Sequence, residues 1–181
     1  GETVERLMTL ARENGFTHWG AANLSAFQPL ASVRAMCAAD RCGQYGKNWA
    51  CPPACGSLAQ AAAAIARCRR GLLVQTTGPL AHPLDYPAME SLARQHKKSF
   101  QGFARQARLL HPGCLALTAG ACTLCARCTC PTRPCRYPSK RLTSMEAYGL
   151  WVSDICQKSG LPYNCGPQTL TYTSCVLIAE E

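Results

Sequence analysis

A small mixed α/β sheet of about four strands, covered by helices and carrying two long cysteine-rich loops, is the architecture this sequence predicts. Three observations lead there. Apolar residues recur at helical spacing in four segments, continuous or β-branched apolar runs fill four others in alternation, and eight candidate ligand cysteines fall in two windows, 37–55 and 122–135.

Each element has its own signal. Val4, Leu7, Met8 and Ala11 share one helical face, and Asn14-Gly15 stops that helix. Phe16–Leu24 reads as a strand. Ser57, with Gln60 three residues on, predicts a capping box opening an Ala-rich helix from Leu58 to about Cys68. Leu72–Thr77 reads as a short buried strand ended by Gly78-Pro79. Asp85 caps the longest helix, whose apolar face holds Met89, Leu92, His96, Phe100, Phe103 and Leu110, and Pro112-Gly113 ends it. Cys114–Thr118 is the third strand. Thr143 and Glu146 predict a second capping box and a helix with Met145, Tyr148, Val152, Ile155 and Cys156 on its apolar side, closed by Gly160. Thr169–Ile178 is the last strand. With no fixed-period repeat and no low-complexity linker, one domain over residues 1–181 is expected.

Composition narrows the function. An apolar fraction of 48% against 16% charged residues favours a globular chain with an adequate core. No run of about twenty apolar residues exists, so no spanning helix is expected. The N-terminus as it stands, Gly1-Glu2-Thr3-Val4-Glu5-Arg6, carries no apolar signal segment, and a cytoplasmic location is expected. Fourteen cysteines pose a choice between a disulfide scaffold and a metal protein. Disulfide scaffolds staple small chains that lack a core and spread their cysteines through loops. Here the cysteines bunch, which favours metal. The formal charge is +9. Two dianionic four-iron clusters would lower it to about +5, so part of the basic excess reads as compensation. The remainder serves solubility or attracts an acidic protein partner. Nucleic-acid binding is disfavoured, because no dense Lys/Arg run interleaved with aromatics occurs.

In the second window Cys122, Cys125 and Cys128 form C-x2-C-x2-C. Thiolates at three-residue steps on a curled loop can each reach a different iron of one cube, while backbone amides turn toward its sulfides. Zinc, the alternative, more often takes two separated C-x2-C pairs. Cys135 is the preferred fourth ligand, and Cys130, followed by Pro131, is its competitor. In the first window Cys37, Cys42, Cys51 and Cys55 supply four thiols at unfamiliar spacing, with Cys68 as a substitute for Cys55. Pro52-Pro53 stiffens that loop, and Tyr45 and Trp49 read equally well as a shield for the site or as core. Cys114, Cys156 and Cys175 read as small buried hydrophobes, and Cys165 lies in a loop. Arg127, Arg133, Arg136, Lys140 and Arg141 surround the second window, either compensating its charge or forming a docking rim. His96 reads as a packed core histidine, and no phosphate loop, serine elbow or paired-histidine metal motif occurs.

Cys42-Gly43-x-Tyr45-Gly46-Lys47-Asn48-Trp49-x-Cys51-Pro52-Pro53 resembles a signature of a bacterial and archaeal family of predicted metal-binding proteins, a domain of unknown function. Gly120–Cys135, Arg136-Tyr137-Pro138 and Ser144–Gly149 are similar to its second signature. The likeness runs from about residue 16 to the last strand. Cys42, Cys51, Cys122, Cys125, Cys128 and Cys135 match its pattern best, and Cys55 departs from it. The resemblance implies metal binding in anaerobes, a setting that suits oxygen-sensitive clusters.

The expectation is therefore an iron–sulfur protein with two [4Fe-4S] clusters, one per window, passing electrons between protein partners. A reductase or sulfur-handling enzyme with an open iron site, or a cluster-delivery protein, is the alternative.

Overall fold

The computed structural model describes residues 1–179; the last two positions of the expected 1–181 domain lie outside the described residues. The elements are α1 (Glu2–Glu13), β1 (His18–Ala21), a 3-10 turn (Leu24–Ala26), α2 (Ala31–Ala38), α3 (Leu58–Ala66) and β2 (Cys68–Pro79), followed by α4 (Tyr86–Leu110), β3 (Leu115–Thr118), β4 (Thr143–Ser144), α5 (Val152–Lys158) and β5 (Thr169–Ala179). The strands form one mixed sheet in the order β1-β2-β5-β3-β4. Every pair is antiparallel except β3 with β4.

Alternation along the strands divides the core between the two sheet faces. Leu72, Val74, Val176 and Ile178 turn to one face, where Leu7 and Ala11 of α1 and Phe100 and Phe103 of α4 cover them. Leu73, Cys175 and Leu177 turn to the other, against Ile65 of α3 and Val152, Ile155 and Cys156 of α5. The α/β architecture is as expected, with five strands rather than four.

Capping at Ser57 and Asp85 follows the sequence. Ser57 accepts from the Gln60 amide and Gln60 returns a bond to the Ser57 amide, while Asp85 accepts from Ala88. Three expectations need correction. Phe16–Leu24 is not one strand: Asn23 caps a 3-10 turn through Ser25, so β1 ends at Ala21. The Thr143–Glu146 capping box does not form, because Thr143 and Ser144 pair with Leu117 and Thr118 of β3 and are held extended. Ser144 instead bonds the Ala147 amide in a turn, and α5 starts only at Val152. Finally, α2 occupies a stretch for which no element is expected and runs into the first cysteine loop; its eight residues have a non-polar N-cap, Leu30, and no capping bond to announce it.

The parallel β3–β4 pairing positions the site. Parallel neighbours cannot be joined by a tight hairpin and need a crossover. Here the crossover, residues 119–142, contains the second cysteine window. The Glu146–Gly149 turn that follows is pinned against α2 and α3. Gly149 has φ +79, and a Cβ there would stand 2.6 Å from Leu58 Cδ2 and 3.1 Å from the Leu30 nitrogen.

His96 is a histidine buried in the core, 1% exposed between Thr76 and Ser174. Both hydroxyls lie 2.7 Å from a ring nitrogen, a pairing that serves the neutral imidazole as donor at one nitrogen and acceptor at the other. Burial, aided by the charge of Lys97, lowers its pKa to about 4. The unfolded chain takes up this proton near pH 6.5 while the folded chain refuses it, so stability present above that pH falls as the pH drops toward 4. The expected loss across this window is about 3 kcal/mol. Denaturation midpoints taken at pH 7.5 and 4.5 should show a smaller acid loss in His96→Asn; equal losses in the two proteins would refute the assignment.

Candidate metal centre

The two cysteine windows fold against one another. The first spans the end of α2 and the α2–α3 connection; the second is the β3–β4 crossover. Three ties join them. Asn48, 3% exposed, donates Nδ2 to the Cys122 carbonyl at 3.0 Å and accepts the Ala50 amide at 2.9 Å. Trp49 Nε1 reaches the Arg133 carbonyl at 2.9 Å and Thr129 Oγ1 at 3.2 Å. Cys130 Sγ approaches the Gly46 carbonyl at 3.7 Å. The two readings of Trp49 resolve into a third, since the ring is half-buried and its nitrogen bridges the windows.

Cys122, Cys125, Cys128 and Cys135 line one recess, with Trp49, Arg136 and Arg141 in its wall. Cys130 lies outside that recess. It borders a separate cleft of about 760 Å³ between the windows, which also touches Cys42, Cys122, Cys125 and Cys128. In the first window Cys37 sits on the last turn of α2, Cys42 is exposed, Cys51 is buried, and Cys55 is half-buried with Sγ 3.9 Å from the Ala147 carbonyl. Burial pushes the Cys51 thiol up to about 12, helped by the negative charge that Cys42, Cys55, Cys37 and Cys122 would carry. Asn48, three residues before Cys51, holds this stretch of the first window to the Cys122 carbonyl. All fourteen cysteines are free thiols. Cys68, the substitute ligand, is buried at the α3–β2 junction with its sulfur on the Ala64 carbonyl. Cys156 and Cys175 are fully buried in the core, as expected, while Cys114 is half-buried at its margin. Cys165 packs its sulfur 3.6 Å from the hydroxyls of Thr77 and Thr171.

Two cationic side chains that motif reading does not single out, Arg34 and Lys97, act on the thiols together with Arg136 and Arg141, which it does. Arg34 donates Nη1 to the Gly56 carbonyl and Nη2 to the Ala147 carbonyl, each at 2.8 Å. Its charge opposes the burial that raises Cys37 and Cys55. Lys97, midway along α4, bonds the Ala121 carbonyl and lies 3.4 Å from Thr123 Oγ1. Burial lowers its pKa, against the pull of Cys122 and Cys51. Arg141, from the second window, acts on Cys55 of the first. Arg136 hydrogen-bonds Cys125 and donates to the Arg127 carbonyl at 2.9 Å. A helical periodicity shows which side of α4 Lys97 occupies, but not that this side meets residues 121–123.

The chain's residues 25–178 match a family model described as a predicted metal-binding protein, DUF2284. The chain belongs to this family. No match was found among curated proteins or among solved structures. The donor chemistry of this DUF2284 protein fits its family description: soft thiols suit zinc, copper or iron–sulfur centres. Among the described residues no three His, Cys, Asp or Glu side chains converge at the spacing of a single ion. Arg34 Nε is buried and unpartnered among the described residues, a spare donor beside Cys37 and Cys55 that suits an anionic group.

Proposed function

We propose that this DUF2284 protein is a cytoplasmic iron–sulfur protein that holds two [4Fe-4S] clusters and relays single electrons between protein partners, one of them acidic. Cys37, Cys42, Cys51 and Cys55 would hold one cluster, and Cys122, Cys125, Cys128 and Cys135 the other. The observation that carries this reading is the recess shared by Cys122, Cys125, Cys128 and Cys135, with the first window tied to it through Asn48 on the Cys122 carbonyl. Such clusters supply one-electron redox chemistry held by thiolates. The chain's own residues do the rest. Arg34, Lys97, Arg136 and Arg141 offset the negative charge of the thiolates. Asn48 and Trp49 hold the windows in contact.

Anaerobic purification tests the reading. The expected product is brown, absorbs broadly near 400 nm, and contains about eight iron and eight sulfide per chain. A colourless protein loaded with zinc and free of sulfide overturns it.

A second reading, a reductase or sulfur-handling enzyme, draws on the cleft between the windows. Exposed Cys42 borders it together with Lys47 and Arg127, so a small anionic substrate would meet thiols and positive charge there. A cluster spectrum that changes when a small thiol or anion is added would favour this reading over pure relay.

A further inference from the structure

A second feature lies on the far side of the second window. A groove of about 760 Å³ runs between α4 and the 139–142 segment. Lys98, Arg105, Arg108 and Lys140 stand along it, and no carboxylate is among its lining residues. These four make no ion pair among the described residues. Lys98, Arg105 and Arg108 recur at helical spacing on α4, so they form one stripe. Arg108 donates to the Ser139 carbonyl at 3.2 Å and fastens the two walls together. Apolar surface adjoins the charge: Leu109 is 78% exposed, and Leu124 also lines the groove.

Leu124 is the decisive residue. It borders the basic groove on one side and the recess of Cys122, Cys125, Cys128 and Cys135 on the other. A molecule seated in the groove is therefore one side chain away from the thiols. The basic residues of the second window divide accordingly. Arg136 and Arg141 line the cysteine recess and not the groove, whereas Lys140 lines the groove and not that recess.

We propose that this groove is the docking surface for an acidic one-electron carrier protein, which exchanges its electron through the wall formed by Leu124. An apolar centre with a charged rim is the anatomy of a transient protein interface, and the rim's single sign selects an acidic partner and steers its approach. The groove offers no aromatic platform among its lining residues, which disfavours single-stranded nucleic acid. The step would move one electron from the reduced carrier to the redox group that Cys122, Cys125, Cys128 and Cys135 would hold, with no bond made or broken. The redox part rests on the cluster assignment proposed above; the docking surface does not.

The test uses the anaerobically purified protein and a plant-type ferredoxin as the probe. Arg105→Glu combined with Lys140→Glu cancels the net charge of the rim's four cations without replacing a thiol. The double variant is expected to bind the ferredoxin about tenfold more weakly in fluorescence anisotropy at low salt, and to lose most of the salt dependence. Reduction by ferredoxin should slow by a similar factor, while reduction by dithionite and the iron content stay unchanged. Weaker binding by the variant upholds the surface even if dithionite evokes no cluster signal, in which case the assignment of the clusters fails instead. Equal affinity and equal salt dependence in the two proteins would overturn the proposal. So would a groove that binds duplex DNA, with loss in the variant, but not the ferredoxin.

Discussion

Cys135→Ser is expected to empty the second window of its metal, while Cys130→Ser leaves the metal content intact. Spacing alone left these two thiols in competition, because both follow the C-x2-C-x2-C run within seven residues. The fold separates them. Cys135 returns to the recess lined by Cys122, Cys125 and Cys128. Cys130 is turned to the other cleft, where its sulfur meets the Gly46 carbonyl. Serine preserves size but replaces a soft thiolate with a hard, weakly acidic oxygen, which holds iron–sulfur clusters poorly. In anaerobic iron and sulfide analysis Cys135→Ser should fall from about eight to about four of each per chain, and Cys130→Ser should stay near eight. The reverse pattern would show that the ligand set crosses between the two recesses.

Asn48→Ala is expected to loosen both centres at once and to lower the melting temperature by about 10 °C. Asn48 belongs to the first window, yet its amide satisfies the carbonyl of Cys122 in the second. Its side-chain oxygen takes the Ala50 amide beside buried Cys51. Alanine leaves a donor and an acceptor without partners in a site only 3% exposed, at about 1–3 kcal/mol each. In a chain of this size each kcal/mol moves the melting point by about 2–4 °C. Iron release to a chelator should accelerate from the same cause, since the loop bearing Cys122 loses its anchor. A shift below about 2 °C with unchanged iron release would mean that the windows cohere without this residue.

Local chemistry was legible wherever it stayed local. The Ser57–Gln60 box and the Asp85 cap form as read, because each is a contact within one turn. The Thr143–Glu146 box carries the same pattern and fails, because pairing with β3 claims Thr143 and Ser144 first. Strand length was underestimated for a related reason. Leu72–Thr77 was the apolar part of β2, but pairing with β5 recruits Cys68–Gly71 and Gly78–Pro79 into a twelve-residue strand. The short α2, lacking a polar cap, left no periodic signal strong enough to separate it from loop.

By itself the sequence determined the α/β class, the helical and strand faces that pack on the sheet, and the cysteines that suit a metal, since periodicity and residue chemistry are written along the chain. Only the tertiary structure decided that the two windows pack against one another, that Arg34 and Lys97 act on their thiols, and that Leu124 borders both the cysteine recess and a basic groove. The physical reason is separation along the chain. Asn48 and Cys122 stand 74 positions apart, and Lys97 and Ala121 stand 24 apart, so each pairing exists only once the sheet and the β3–β4 crossover have brought the loops together.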